Sequence, residues 1–257
     1  MGKVFLIGAG PGDPDLLTVK AVRLLSRAEI VLHDALVSDE ILALVNHSAT
    51  LIDIGKRRGH KLLTQSEINS LLVAYAAKAK TVIRLKGGDP SIFGRAGEEI
   101  EALVEAGISY EIVPGITSAL ASAAAAGISL TDRRFAASVL FTTGHRASEA
   151  ESVQWQRLVT AGTTLVIYMP GTDYSGISTS LVDAGLSVNT PCTIVSQASR
   201  PTQSVLHTQL AALTTHEALP APALLIVGEC AAPLHLSAQL TQQIRDRNTN
   251  TQEGAIA

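Results

Sequence analysis

Apolar residues recur in short runs through the first half of the chain, separated by polar segments that carry glycine, proline or a capping residue. Runs rich in β-branched and aliphatic side chains predict buried strands at residues 3–7, 29–33, 50–54, 81–83 and 110–113. The spacing between these runs leaves room for a crossover helix after most of them. The pattern therefore predicts an α/β fold whose first sheet is mostly parallel and doubly wound.

The segments between the runs carry helical spacing or helix-start signals. Apolar residues at helical spacing predict a helix over about residues 15–27. Thr64 and Glu67 form a capping box, which predicts a helix that begins there and reaches about Lys80. Further helices are predicted after Ser38, over residues 97–104 and in the alanine-rich segment after residue 117.

The second half of the chain alternates less regularly, and its strands come close together near the end. Strands are predicted at residues 138–143, 163–169, 191–196, 203–207 and 223–228, and helices at 152–161 and 174–184. This succession favours a mixed sheet. We therefore expect two α/β domains, at residues 1–116 and 117–236, followed by a polar tail at 237–257.

Composition narrows the class of protein. The chain has 257 residues, of which 46% are hydrophobic and 17% charged, so it is globular and not disordered. The net charge of −3 argues against broad nucleic-acid binding. Cys192 and Cys230 fit no metal spacing and suggest a reducing compartment without disulfides. No segment has the length of a membrane span, so we expect a cytoplasmic protein.

The strongest candidate site follows the strand at residues 81–83. Gly87 and Gly88 stand there beside Asp89, at the strand end where α/β proteins bind ligands. Adjacent glycines let the main chain approach a ligand closely, and Asp89 could accept a hydrogen bond from a hydroxyl or an amine. An ordinary turn explains the same residues about equally well.

A glycine-rich loop at residues 8–13 also follows a strand, as in a dinucleotide-binding protein, and Asp34 stands where a ribose ligand would. A nicotinamide-dependent oxidoreductase is thus an alternative. Against it, Asp13 replaces the third glycine and would repel a pyrophosphate, and Pro11 lacks an N–H. Asp34 could equally be a general base or an exposed acid at a strand end.

Basic residues are the remaining signal. Lys56 begins a basic cluster after the third strand, which is a solvated surface run in most proteins. Other cations stand near predicted loops, and if several met they would suit a small polyanion. They are Arg84, Lys86, Arg95, Arg133, Arg134, His145 and Arg146.

Several stretches together resemble one family, the tetrapyrrole methyltransferases. Residues 4–18 resemble its N-terminal signature, and its second signature resembles residues 84–90, 92–95, 97–99 and 113–118. Further matching positions are Asp34 with residues 36–38, Gly55 with residues 56–57, Leu130 with Thr131, and residues 142–145. The resemblance covers roughly residues 3–230.

The resemblance implies a tetrapyrrole-methylase fold with a ligand cleft between two domains, a homodimer, and S-adenosylmethionine as the methyl donor. It makes Asp34 a proton acceptor and Lys56 a proton donor. Carried over by motif, the donor contacts are Pro11, Gly87, Gly88, Asp89, Ile92, Thr117, Ser118, Met169 and Ala198. It requires no metal.

The implied reaction is C-methylation of uroporphyrinogen III at C2 and C7, which gives precorrin-2 and S-adenosylhomocysteine for sirohaem or cobalamin synthesis. Ala35 and Asp132 depart from the family pattern, so methylation of a later corrin intermediate is an alternative. A protein that binds the donor without turnover is another. We also expect a monofunctional methyltransferase.

Overall fold

The computed structural model describes residues 2–55, 63–144 and 153–233. The chain forms two compact units. The first contains residues up to Ala121 together with Ser199–Pro201, and the second contains the rest of the described chain. The division falls inside a helix, five residues after the boundary expected from the sequence. The expected polar tail, residues 237–257, lies outside the described residues.

The first unit alternates strands and helices along the chain, as the hydrophobic pattern predicts. In order, the elements are β1 (Lys3–Gly8), α1 (Val19–Leu25), β2 (Ile30–His33), α2 (Asp39–Leu42), β3 (Thr50–Asp53), α3 (Gln65–Ala76), β4 (Thr81–Lys86), α4 (Ala96–Glu105), β5 (Ser109–Val113) and α5 (Ser118–Ala126).

These five strands form one sheet in the order β3-β2-β4-β1-β5. All pairs are parallel, which confirms the parallel, doubly wound sheet. One apolar cluster joins one face of the sheet to α1 and α2 through Ile7, Leu25 and Ile41. A second cluster joins the other face to α3 and α4 through Leu72 and Leu103. The sheet is thus covered on both faces, as parallel sheets require.

The predicted helix over residues 15–27 is wrong in its first turn. The chain forms a separate 3₁₀ turn at Pro14–Leu16, and Leu17 is extended at φ −70° and ψ 144°. α1 begins only at Val19, because the Thr18 side chain caps it by accepting a hydrogen bond from the Ala21 N–H. The caps Asp13 and Thr18 therefore divide into a turn and a helix the segment that apolar spacing alone predicts as one helix.

The capping box is confirmed. Thr64 and Glu67 exchange hydrogen bonds, with the Glu67 N–H donating to Thr64 Oγ1 at 3.2 Å and the Thr64 N–H donating to Glu67 Oε2 at 2.6 Å. The helix ends at Ala76, four residues before the predicted end, in a turn that delivers the chain to β4. The start of α3 is thus specified by its capping residues, whereas its end is not.

The second unit contains β6 (Ser138–Thr143), α6 (Trp155–Leu158), β7 (Thr163–Tyr168), α7 (Tyr174–Asp183), β8 (Pro191–Ser196), β9 (Ser204–Gln209), α8 (Leu210–Leu213) and β10 (Ala223–Val227). Its sheet has the order β6-β7-β10-β8-β9. β6 and β7 are parallel and the other pairs are antiparallel, which confirms the predicted mixed sheet.

Two details of the second unit differ from the prediction. α6 is one turn long and ends at Leu158, because Val159 is extended at ψ 113°. α8 was not predicted; it buries Leu210 and Leu213 in a segment too short to show helical periodicity. Within the described ranges, no helix is long and apolar enough to cross a membrane.

Candidate active site

The loops that follow β1, β2, β4 and β5 meet at one edge of the first sheet, because parallel strands end on the same side. Eight of the predicted site residues occur in these loops or at the start of α5. They are Pro11, Asp34, Gly87, Gly88, Asp89, Ile92, Thr117 and Ser118. Their common position is the carboxyl edge of a doubly wound sheet, where this class of fold binds ligands.

Four glycines let the main chains of the loops at this edge come into contact with one another. A Cβ on Gly8 would lie 2.6 Å from Gly88 O, and a Cβ on Gly115 would lie 2.4 Å from the same oxygen. Gly10 and Gly88 exchange two backbone hydrogen bonds, of 3.1 and 2.7 Å, and both have a φ of +69°. Only glycine fits this junction without displacement of the main chain.

The predicted approach surface remains open at Gly88, whereas a Cβ on Gly87 would lie 3.1 Å from the Leu36 side chain. Both glycines are half-buried, and a Cβ on Gly88 would meet nothing closer than Thr117 Cα at 3.9 Å and Ser118 N at 4.0 Å. The structure therefore brings Gly88 beside two other predicted donor contacts, Thr117 and Ser118. Bare main chain faces the open side of the loop.

Asp89 connects the loop after β4 to the loop after β5. Its Oδ1 accepts a hydrogen bond from the Ser91 N–H at 2.8 Å and another from the Ser91 hydroxyl. Its Oδ2 accepts a hydrogen bond from the Gly115 N–H at 3.0 Å. In this state both carboxylate oxygens hold protein groups, so Asp89 fixes the shape of the site. The sequence suggested direct ligand contact and did not reveal this role.

The first glycine loop has no helix N-terminus aimed at it. Asp13 Oδ1 accepts a hydrogen bond from the Asp15 N–H at 2.9 Å and caps the 3₁₀ turn that follows the loop. The next helix starts six residues beyond Asp13, with Thr18 as its cap. The amide donors that hold a pyrophosphate in dinucleotide-binding proteins are thus already capped by side chains. This geometry disfavours the oxidoreductase alternative.

Asp34 follows β2 and lies beside Arg84 of β4. The Arg84 Nη2 donates to Asp34 Oδ1 at 2.6 Å, and the Asp34 side chain is 32% exposed. Its backbone N–H donates to Leu85 O at 3.1 Å. Hydrogen bonds thus hold both the backbone and the side chain of Asp34 at the edge of the sheet, and its carboxylate still reaches solvent.

Arg84 belongs to a buried group of charges that the sequence analysis did not find. Glu99 of α4 has no exposed surface, and its Oε1 accepts hydrogen bonds from Arg84 Nε at 2.8 Å and Lys86 Nζ at 2.9 Å. Lys86 Nζ also donates to Glu99 Oε2 at 2.9 Å. Burial and the neighbouring Arg84 lower the pKa of Lys86, while Glu99 opposes that change.

The expectation that Arg84 and Lys86 belong to basic loops around a polyanion is therefore wrong. Both lie in β4, where side chains alternate between the two faces, and both are 3% exposed. Two charged residues in an otherwise apolar buried strand require a buried partner. That requirement, with acids in the first turn of the next helix, is the signal that could have identified Glu99.

Other candidate cations also have partners on their own segments. Arg95 donates to Glu98 in a bidentate pair of 2.7 and 2.8 Å, and this pair raises the pKa of Arg95. Arg134 donates to Asp132, whose pKa falls to about 2 as a result. Arg133 is exposed, and Lys56, His145 and Arg146 lie outside the described residues.

The two predicted residues of the second unit lie at the ends of β7 and β8. Leu224 of β10 stands opposite both Tyr168 and Val195, so Met169 and Ala198 follow strands that end at the same edge of that sheet. Met169 is 51% exposed and has a φ of +48°. An exposed methionine with strained backbone is unlike core packing, and such strain is concentrated at functional sites.

A cavity of about 590 Å³ lies within the second unit, near the ends of β6 and β7. Its lining includes Trp155, Pro170, Gly171, Asp173 and Ser180. It adjoins Met169 but includes none of the predicted donor contacts. Across the described ranges, no group of three or more His, Cys, Asp and Glu residues is placed to hold a metal ion.

Comparison with known proteins identifies the family to which this chain belongs. The family model of the Tetrapyrrole (Corrin/Porphyrin) Methylases matches residues 3–214, which is most of the chain. The chain belongs to this family. The resemblance inferred from the two signatures is thereby confirmed, and the fold is that of the tetrapyrrole methylases.

Individual members of the family are similar over nearly the whole chain. A uroporphyrinogen-III C-methyltransferase from Paracoccus denitrificans is 47% identical over 236 residues, which cover 90% of this chain and 82% of the relative. A siroheme synthase from Psychrobacter is 48% identical over 234 residues, or 90% of this chain. The chain spans about half the length of the siroheme synthases that it matches.

A solved structure gives the same result. The uroporphyrin-III C-methyltransferase of Thermus thermophilus, crystallised with S-adenosylhomocysteine, superposes with a TM-score of 0.78 at 36% identity. The superposition covers 89% of this chain and 93% of that one. Membership of the tetrapyrrole methylases thus rests on sequence and on three-dimensional structure together.

Proposed function

We propose that this tetrapyrrole methylase transfers methyl groups from S-adenosylmethionine to C2 and C7 of uroporphyrinogen III. The products are precorrin-2 and S-adenosylhomocysteine, which serve sirohaem or cobalamin synthesis. The observation that carries the proposal is the placement of Asp34 and the open main chain of Gly88 at one edge of the first sheet. The methyltransferase relative of 47% identity supports the choice of substrate.

The described residues fit a donor that is positively charged and has no phosphate. The loop after β1 carries the carboxylate of Asp13, and its following turn is capped, so it suits a cation better than a pyrophosphate. The open main chain of Gly88 leaves space for a nucleoside against Thr117 and Ser118. We propose further contacts from Pro11, Gly87, Ile92 and, in the second unit, Met169 and Ala198.

When bound, the sulfonium supplies a methyl group that an electron-rich ring carbon of the tetrapyrrole can take as its carbon–sulfur bond breaks. The protein's main task is to hold the two substrates in line. The methylated ring must then lose or relay a proton, and we propose that Asp34, a partly exposed carboxylate, accepts it. Lys56 is the proposed proton donor, by its match to the family motif.

We propose that the substrate is a polycarboxylate tetrapyrrole and that the enzyme acts as a homodimer in the cytoplasm. The family resemblance supports the dimer. Cys192 and Cys230 are both free thiols and both buried, which suits a reducing compartment. Burial raises the pKa of both thiols, so neither is a ready nucleophile for this reaction.

The test is anaerobic incubation of the protein with uroporphyrinogen III and S-adenosylmethionine carrying an isotopic label in its methyl group. We expect a product heavier by two labelled methyl groups, with S-adenosylhomocysteine released at each transfer. Parallel reactions with later corrin intermediates test the alternative that Ala35 and Asp132 raise. Binding of S-adenosylhomocysteine without any methylated product would contradict the proposed reaction and favour a sensor.

A further inference from the structure

The buried charges around Glu99 contain one cation more than the burial of Glu99 requires. Lys86 Nζ reaches both Glu99 oxygens at 2.9 Å, so this one ammonium already neutralises the charge of the carboxylate. Arg84 nevertheless also donates to Glu99, at 2.8 Å. Its charge is balanced by the second anion of the group, Asp34. The four charges sum to zero only when Asp34 is counted.

Arg84 is held rigidly where it meets Asp34. Each of its three guanidinium nitrogens donates a hydrogen bond: Nε to Glu99 Oε1, Nη1 to Leu85 O at 3.1 Å, and Nη2 to Asp34 Oδ1. Leu6 and Leu32 flank it in register on the neighbouring strands. A planar guanidinium with all three nitrogens engaged cannot rotate without breaking these bonds.

We infer that Arg84, anchored by Glu99, is a positioning residue that holds the Asp34 carboxylate in the orientation that proton transfer requires. This inference rests on the function proposed above. Arg84 fixes Oδ1 of Asp34, and in the described part of the chain Oδ2 accepts no hydrogen bond from the protein. One oxygen is thus held and the other stays available to the substrate.

The decisive variant is Arg84→Met, which leaves Glu99 paired with Lys86. We expect kcat to fall about 10- to 100-fold, because a displaced catalytic group loses its alignment. Affinity for S-adenosylhomocysteine, measured by calorimetry, is expected to change by less than about twofold. Arg23→Met removes an exposed guanidinium from the same unit and serves as the matched control, with kcat unchanged.

A double-mutant cycle separates positioning from a structural role. In an Asp34→Asn background, Arg84→Met should lower kcat by less than about twofold, since the group it positions is already altered. Independent losses that multiply in the double variant would overturn the inference, and so would a normal kcat in Arg84→Met. If that variant does not fold, Arg84→Lys replaces it, because its ammonium keeps the charge without the planar fork. A normal kcat in Arg84→Lys would overturn the positioning role of Arg84.

A crystal structure of the folded Arg84 variant tests the inference without reference to activity. We expect the Asp34 carboxylate to rotate or to occupy more than one orientation. Retention of its original orientation would overturn the inference even if wild-type protein failed to methylate uroporphyrinogen III. Failure of the wild-type reaction with a reoriented Asp34 in the variant would instead overturn the proposed function alone.

Discussion

Two groups of opposite charges lie on opposite faces of the first sheet, and they differ in burial. The group around Glu99 is enclosed between β4 and α4, and three of its four members are 3% exposed or less. On the other face, Glu111 of β5 pairs with Lys3 and Lys20, and all three side chains are at least 29% exposed. Similar ion pairs therefore differ in how far they are exposed to solvent.

The difference teaches that position, and not charge alone, decides what an ion pair does. An exposed pair is screened and contributes little to stability. A buried group that loses its shared carboxylate leaves unpaired cations in a poorly solvated interior. The buried group also reaches Asp34 at the ligand-binding edge, whereas the exposed group lies against the apolar ring of Phe5, 4.9 Å from Lys3 Nζ.

The largest effect is expected from removing the centre of the buried group. Glu99→Ala leaves Arg84 and Lys86 without their shared carboxylate, and we expect the free energy of unfolding to fall by about 3–5 kcal/mol. Denaturant unfolding measures this loss. Glu98→Ala, on the same helix but at the surface, is the matched control and should hardly move the midpoint. Equal effects of the two substitutions would remove the distinction between the groups.

The next effect concerns the reaction. Asp34→Asn keeps the size of the side chain but removes the carboxylate, and we expect kcat to fall by about 100-fold or more. Affinity for S-adenosylhomocysteine should not change, because Asp34 acts on the ring side. Single-turnover methyl transfer and calorimetry measure the two quantities. Asp39→Asn alters an exposed acid nearby and should leave both unchanged; a normal rate in Asp34→Asn would remove this residue from the mechanism.

Asp89 is an intermediate case, because its carboxylate is half-buried and holds N–H and O–H groups instead of cations. Asp89→Ala releases the loops after β4 and β5, and we expect the donor to bind roughly tenfold more weakly, as for loss of a charge-assisted hydrogen bond. Ser91→Ala removes one partner only and should have a smaller effect. Calorimetry with S-adenosylhomocysteine decides, and unchanged affinity in Asp89→Ala would contradict the role given to this carboxylate.

The smallest effect is expected from the exposed group. Hydrogen bonds from Lys20 and Lys3 lower the pKa of Glu111 to about 2. A depressed carboxyl pKa stabilises the fold above the unfolded-state value of 4.5, and that contribution is lost as pH falls from about 4.5 to about 2. Glu111→Gln should therefore lose less stability than wild type over this interval, in unfolding curves recorded at each pH. A steeper acid loss in the variant would contradict this assignment.

Much of the fold followed from the sequence because its signals are local. The apolar runs of β6 and β8 were predicted with the bounds that the structure shows, and the Thr64 capping box marked the start of α3. The end of α3 was predicted four residues too late, since tertiary contacts decide where a helix stops. The division of residues 14–25 into a turn and a helix depended on the capping side chains of Asp13 and Thr18.

The candidate site was predicted unevenly for the same reason. Glycine loops and Asp89 were identifiable because they follow a strand, and the sheet places them at one edge. Glu99 was missed, although two charged residues in the apolar strand β4 already require a buried anion; only the fold shows that this anion is Glu99 and not its exposed neighbour Glu98. The donor contacts taken from the family motif, with Lys56, stay predictions until a bound complex is examined.

The sequence by itself determined the succession of strands and helices, the mixed character of the second sheet and the membership of a methylase family. These properties depend on residue type and spacing, which can be recognised within a few positions of the chain. Only the tertiary structure decided that Arg84 and Lys86 point inward to Glu99, and that Arg84 also donates a hydrogen bond to Asp34. Fifty residues separate Asp34 from Arg84 along the chain. Their pairing arises because β2 and β4 are neighbours in the sheet, and because a buried guanidinium requires charged or hydrogen-bonding partners.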